Sequence, residues 1–247
     1  MTTDVLKVEG LRKCYGRKEV VRDVSFSMAA GEIVGLLGLN GAGKTTTFHM
    51  IIGFIRPNNG HIYLNDTRLT SLPMYRRARA GISYLPQETS VFAKLSVEGN
   101  IWAILETRGD LDPAGRKERL EVLLAEFGLE HLRRQKAVTL SGGERRRTEI
   151  ARALALEPRF LLLDEPFAGI DLKTVSELKA IIERLAGRGV GILVTDHNIY
   201  DTFDIIHRAY IMNRGEVAFV GTPRELSENQ EVRRIFLGEK FRMLEKD

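Results

Sequence analysis

The spacing of apolar positions shifts along the chain, and each shift predicts a different element. In residues 4–30, Val5, Val8 and Leu11 lead to Tyr15-Gly16 and then to Val20, Val21, Val24 and Phe26, which predicts short strands joined by a turn. Residues 32–37 (Glu-Ile-Val-Gly-Leu-Leu) are apolar on both faces and predict a buried, parallel strand. After a Gly-rich turn at 38–43, Phe48, Ile51, Ile52 and Ile55 recur at i, i+3, i+4 and i+7, the stripe of a helix that runs on to Pro57-Asn58-Asn59-Gly60. Residues 61–65 alternate as a strand does. From about 70 to 157 the pattern turns helical and charge-rich, as in 116–127 with Leu120, Leu123, Leu124 and Phe127 on one face. Apolar runs at 160–163 and 190–194 flank a helix that faces Val175, Leu178, Ile181, Ile182 and Leu185 inward and stops at Gly187-Arg188-Gly189. Strand, helix, strand at this spacing is a βαβ unit, which favours a parallel sheet with a right-handed crossover.

The expected fold class is α/β: a mostly parallel central sheet, an N-terminal antiparallel β part and an inserted α-helical subdomain. One domain over residues 1–247 is expected, with 1–87 and 158–221 as its core, 88–157 as the helical insert and 222–247 as a short helical tail.

Composition narrows the class. Apolar residues make up 43% and charged residues 28%, as in a soluble globular protein. Lys plus Arg is 37 against 33 for Asp plus Glu, a net charge of +4. So mild a charge does not mark a nucleic-acid binder, which concentrates a basic face, and no nucleic-acid partner is expected. The densest basic spot, Arg145-Arg146-Arg147, reads as a solvated helix face. The single cysteine, Cys14, rules out an intramolecular disulfide and fits a reducing, cytoplasmic compartment. No apolar run approaches the ~20 residues of a membrane span, and Asp4, Lys7 and Glu9 near the start do not make a secretory signal. Any membrane association is expected through partners.

Gly38-Leu39-Asn40-Gly41-Ala42-Gly43-Lys44-Thr45 fits G-x-x-x-x-G-K-[ST], straight after an apolar strand and opening a helix. Glycines let the backbone fold tightly, so that successive N–H groups point inward at phosphate oxygens, and the helix N-terminus adds its dipole. Lys44 is placed for the β- and γ-phosphates and Thr45 for Mg²⁺. At the end of the strand 160–163, Asp164 can hold Mg²⁺ and Glu165, one residue on, can polarise an attacking water. His197 follows the strand 190–194 and can approach a γ-phosphate, whereas His49, His61, His131 and His207 read as ordinary surface or packing residues. Gln87, after Tyr84-Leu85-Pro86, is a candidate for Mg²⁺ or water. Leu140-Ser141-Gly142-Gly143-Glu144 opens another helix and is a second anion-ready N-terminus.

A phosphate loop, this LSGG segment, an acidic strand end and a later His, in that order, resemble the ATP-binding subunits of ABC transporters, and the resemblance spans nearly the whole chain. It implies a P-loop NTPase with ATP and Mg²⁺ as cofactors. ATP contacts are implied for Tyr15, as the aromatic on adenine, and for Gly38, Leu39, Asn40, Gly41, Ala42, Gly43, Lys44, Thr45 and Thr46. Mg²⁺ is implied for Thr45, Gln87 and Asp164, and catalytic roles for Glu165, His197 and Gln87. Leu140, Ser141, Gly142, Gly143 and Glu144 match the signature, which meets the partner subunit's ATP in a head-to-tail homodimer, and Asp171 matches the D-loop. Glu144 stands where Gln is frequent.

A finer resemblance, carried by residues 84–88, 140–154, 164–171, 195–198 and 235–242, is to subunits that power lipopolysaccharide export. It implies a cytoplasmic dimer docked on two integral-membrane subunits, with a partner groove at Glu88, Val91, Phe92 and Leu95. Phe92 reads equally as an exposed anchor or as a core residue of the insert, and Ala93 stands where a basic residue is expected. Branched-chain amino-acid importers share much of this pattern. A soluble relative acting on ribosomes or DNA usually has two ATP domains or a long coiled coil, and no sustained heptads occur here. A binding module without hydrolysis is opposed by the intact Lys44, Glu165 and His197.

Overall fold

Two long strands, β1 (Val5–Tyr15) and β2 (Lys18–Ala29), open the chain as an antiparallel pair. They are longer than the short strands expected from the pattern, because shifts of register along β1 bend the pair without ending it. The computed structural model describes residues 3–196 and 199–238. Along the chain follow β3 (Ile33–Gly38), α1 (Lys44–Ile52), β4 (Asn59–Leu64), β5 (Thr67–Arg68), α2 (Met74–Arg79) and β6 (Ile82–Leu85). Then come α3 (Val97–Leu105), α4 (Pro113–Glu126), α5 (Gly142–Leu154), β7 (Phe160–Asp164), α6 (Leu172–Gly187) and β8 (Gly191–Thr195). The chain continues through α7 (Ile199–Phe203), β9 (Arg208–Asn213), β10 (Glu216–Gly221), α8 (Pro223–Glu228) and α9 (Gln230–Val232) to a last helical turn at Arg233–Leu237. Among the described residues no helix is long and apolar enough to cross a membrane.

The strands form one sheet in the order β5-β4-β1-β2-β10-β9-β3-β8-β7-β6. From β9 to β6 every pairing is parallel, while β1, β2, β4 and β5 pair antiparallel. This is the expected α/β class. Side chains alternate between two cores. Ile33, Leu37, Leu161, Leu163, Ile192 and Val194 face α6 and the helices between β6 and β7. Val34, Leu36, Phe160, Leu162 and Leu193 face α1 and the antiparallel strands. The central strands are buried on both sides, which is why they read as continuous apolar runs.

Three expectations need correction. First, α1 ends at Ile52, and Ile55 lies beyond it. The chain leaves the helix at Gly53 (φ 90°), and the buried Arg77 takes the final carbonyls: its Nη1 donates to Met50 O at 2.7 Å and Ile51 O at 2.6 Å. Its Nε and Nη2 donate to Leu72 O at 2.8 Å and Thr70 O at 2.9 Å. Burial pushes this guanidinium down to about 10, and the four carbonyls are what hold the charge in place. Arg77→Met is therefore expected to destabilise the protein by about 3 kcal/mol, since it orphans buried acceptors. For a chain of this length that is a fall of about 10 °C in melting temperature, read by calorimetry.

Second, the basic triplet is not a solvated face. Arg146 is 7% exposed, its Nη1 donating to Glu149 at 3.2 Å and to the Pro86 carbonyl at 3.0 Å. Helical spacing puts residues three apart on one face, so Arg146 turns inward with Glu149. Arg147 pairs with Glu177 of α6 at 2.9 Å. Third, the stretch 70–157, read as helical with few strand signals, holds the strand β6, which closes the parallel end of the sheet.

Candidate functional site

Parallel strands bring their C-terminal ends to one edge of the sheet, where a ligand crevice forms. The order β9-β3-β8-β7-β6 places the ends of β3, β8, β7 and β6 beside one another there. The sequence motifs that follow these strands, distant along the chain, thereby converge.

The loop after β3 is braced on several sides. Gly38 has φ 153°, and a Cβ there would lie 2.4 Å from the Met212 carbonyl oxygen of β9. Gly43 has φ 102°, and a Cβ would lie 2.8 Å from the Val20 carbonyl oxygen of β2. Only glycine fits either place. The Gly215 N–H, in the β9–β10 turn, donates to Ala42 O at 3.1 Å, and the Arg22 N–H of β2 donates to Gly215 O at 2.9 Å. Helix α1 opens directly from this loop with neither a side-chain cap nor an acidic residue in its first turn. Its N-terminal N–H groups and dipole are thus open to an anion. Thr45 is exposed at this end and Thr46 half-buried. Lys44 is buried, its ammonium donating to Gly38 O at 2.7 Å and Leu39 O at 3.2 Å. Burial pushes its pKa below the ordinary lysine value, against the pull of Glu165, Asp164 and Asp196.

Asp164 ends β7, 4% exposed. Its Oδ1 accepts from the Thr195 hydroxyl at 2.6 Å and its Oδ2 from the Tyr84 hydroxyl at 3.2 Å. Burial first, and then the Asp164 charge, push the Tyr84 phenol up, so it stays a proton donor. Glu165 follows with φ 44°, its N–H donating to Thr195 O at 2.8 Å. That left-handed turn swings its carboxylate away from the direction of Asp164 and towards Gln87, whose Nε2 donates to it at 2.9 Å. Three expected residues, Asp164, Glu165 and Gln87, thus stand at adjacent strand ends. His197, and the part of the tail beyond Gly238, lie outside the described residues.

The signature segment sits elsewhere. Ser141 caps α5 in a reciprocal box: the Glu144 N–H donates to its Oγ at 3.4 Å, and its own N–H donates to Glu144 Oε2 at 2.8 Å. That backbone N–H holds the Glu144 carboxyl below its ordinary range. Leu140 is buried, and a Cβ at Gly143 would lie 3.0 Å from Thr174 Oγ1 on α6. Asp171 caps α6, accepting from the Thr174 N–H at 3.0 Å and its hydroxyl at 2.7 Å. Signature and D-loop are therefore neighbours, while among the described residues no hydrogen bond joins the signature to the loop 38–45. Tyr15 stands half exposed at the end of β1, with Lys13 Nζ 5.3 Å from its ring centroid.

Phe92 is 47% exposed, under the Arg152 guanidinium at 5.0 Å. It edges an apolar cleft of about 290 Å³ with Met74, Ala78, Ile104, Ala153 and Leu156. Of the four expected groove residues only Phe92 lines this cleft; Glu88 and Leu95 are exposed outside its lining and the partly buried Val91 packs against the core. Sequence reasoning passed over Tyr84, Thr195 and Asp196 as site residues and read Arg146 as surface. Asp196 is fully buried, its Oδ2 accepting from the Phe167 N–H at 3.2 Å. Its only signal was a place at a strand end, like that of Asp164.

A family model described as ABC transporter matches residues 21–168. The chain belongs to the ABC transporter family. Within this family it is 53% identical to the lipopolysaccharide export system ATP-binding protein LptB of Acidithiobacillus ferridurans, over 98% of this chain and all of the relative. The crystal structure of the ADP conformation of MJ1267, an ATP-binding cassette of an ABC transporter, superposes with a TM-score of 0.85 at 25% identity, over 96% of this chain and all of that one. A dimeric post-hydrolysis structure of the cassette MJ0796 bound to ADP and Pi superposes with a TM-score of 0.78 at 26% identity, over 89% and 99%. The chain is an ATP-hydrolysing member of the family.

Proposed function

We propose that this ATPase powers the extraction of lipopolysaccharide from the inner membrane for export. The observation that carries the reading is the end-to-end match to an LptB at 53% identity. A branched-chain amino-acid importer, which shares the same motifs, is the second reading.

In this reading the braced loop from Gly38 to Thr46 cradles the phosphates, Lys44 exchanges its loop carbonyls for β- and γ-oxygens, and Tyr15 stacks on adenine. The Thr45 hydroxyl, the Asp164 carboxylate and the Gln87 amide oxygen form an all-oxygen donor set, which fits Mg²⁺. When bound, Mg²⁺ neutralises phosphate charge. Glu165, oriented by Gln87, takes the proton of the attacking water, and His197 approaches the γ-phosphate. Two copies pair head to tail, so that Leu140–Glu144 of each meets the ATP on the other; that the MJ0796 cassette is dimeric supports the pairing of two copies. Core 1–87 and 158–221, insert 88–157 and tail 222–247 form one domain. The chain lies on the cytoplasmic face of the inner membrane, held by two integral-membrane subunits, with no nucleic acid involved.

The cleft at Phe92 is the seat for a membrane subunit's helix. Phe92→Ala should weaken that assembly by about 2 kcal/mol, the loss typical of a buried aromatic anchor, and leave nucleotide binding intact. Tagged wild-type and variant proteins purified from membranes, with co-purifying protein and lipid identified, provide the check. Equal yields of complex would overturn the cleft assignment. A complex without lipopolysaccharide would overturn the cargo.

A further inference from the structure

Tyr84 touches Asp164, the P-loop helix and the apolar cleft together. In β6 it lies opposite Leu162 of β7, and Asp164 is two residues further along β7. Residues two apart in a strand share a face, so the Tyr84 ring lies diagonally beside Asp164 on the α1 side of the sheet. Its hydroxyl donates to Asp164 Oδ2 at 3.2 Å while the Thr195 hydroxyl holds Oδ1 at 2.6 Å. Both carboxylate oxygens are thereby tied and the plane of the group is set.

The ring itself is held by α1 and the turn that follows it. His49 and Phe54 meet it edge-on, with centroids 6.2 and 6.1 Å away, and His49 Nε2 lies 3.5 Å from the phenolic oxygen. His49 is four residues after Thr45, on the same face of α1. The phenol thus bridges the helix that carries Thr45 to the strand that carries Asp164. A phenylalanine would fill the same space, so packing alone leaves the hydroxyl unexplained.

We propose that Tyr84 is a positioning residue that fixes Asp164, relative to Thr45, in the orientation that receives Mg²⁺. The inference rests on the assignment of Asp164 as a Mg²⁺ ligand. Partners that orient a metal-bound carboxylate are typically worth ten- to a hundredfold in metal affinity, and the long hydrogen bond places Tyr84 at the lower end.

The test uses the whole chain, a fluorescent ATP analogue and a Mg²⁺ titration, for wild type, Tyr84→Phe and Asp164→Asn. Tyr84→Phe should bind the analogue in EDTA as wild type does. It should need about tenfold more Mg²⁺ to reach the half-point of the Mg²⁺-dependent gain in affinity. Its melting temperature should stay close to wild type, because the ring contacts persist. If Asp164→Asn loses the Mg²⁺ response while Tyr84→Phe titrates like wild type, the positioning role is overturned and the ligand assignment stands. If Asp164→Asn keeps the wild-type response, the ligand assignment fails first. A Tyr84→Phe variant weakened equally with and without Mg²⁺ would show a packing role only, and would also overturn the proposal.

Discussion

Glu165→Gln should bind ATP as tightly as the wild type and hydrolyse it at least about a hundredfold more slowly, the lower range for loss of a general base. The substitution changes little else. An amide oxygen can still accept from Gln87 Nε2, now at 2.9 Å, and the tie from residue 165 to Thr195 O runs through the backbone N–H. The φ of 44° is a feature of the backbone turn and persists. What disappears is the capacity to take a proton from water. Equilibrium binding of labelled ATP beside a phosphate-release assay separates the two effects. Hydrolysis at the wild-type rate would remove Glu165 from its assigned role.

Lys44→Ala should weaken nucleotide binding by about a hundredfold or more, close to 2.7 kcal/mol, the scale of hydrogen bonds to a charged group. The effect on folding should be smaller than for a fully paired buried side chain such as Arg77. The ammonium is desolvated, which is why its pKa falls, and among the described residues two loop carbonyls accept from it directly. Removing the charge relieves that penalty, while it orphans the Gly38 carbonyl and takes a cation from beside Asp164, Glu165 and Asp196. The two effects oppose, so the ligand-free variant is expected to melt close to wild type. Calorimetry with and without ATP reads both effects: the nucleotide-induced rise in melting temperature should vanish while the baseline value holds. A rise equal to wild type would refute the assignment.

The parts of this site that were legible in the sequence are those whose chemistry is local. Gly38 to Thr46 and Leu140 to Glu144 each build an anion-ready helix start from contiguous residues, so order along the chain is enough to find them. The strands β3, β7 and β8 were legible because burial on both faces writes itself as an unbroken apolar run. Features set by distant contacts were not. The end of α1 depends on Arg77, which caps it from another helix. Arg146 reads as surface until Glu149 and the Pro86 carbonyl are seen to receive it. Tyr84 acquires meaning only when the parallel pairing of β6 with β7 lays it beside Asp164. The hairpin β9–β10 was not picked out, although Ala209–Met212 of β9 is a buried, largely apolar run and β10 alternates between half-buried and exposed positions.

That hairpin bears on how the protein comes into being. The loop of residues 38–43 is shaped against Met212 and Gly215, contributed from near the far end of the chain. A nascent chain emerging from the ribosome carries the complete glycine-rich motif long before the strands that brace it have been synthesised. Domains fold as units during synthesis, and here the unit closes late. Nucleotide competence thus arrives with the last strands, so a polypeptide truncated before residue 208 would possess the motif without the cradle.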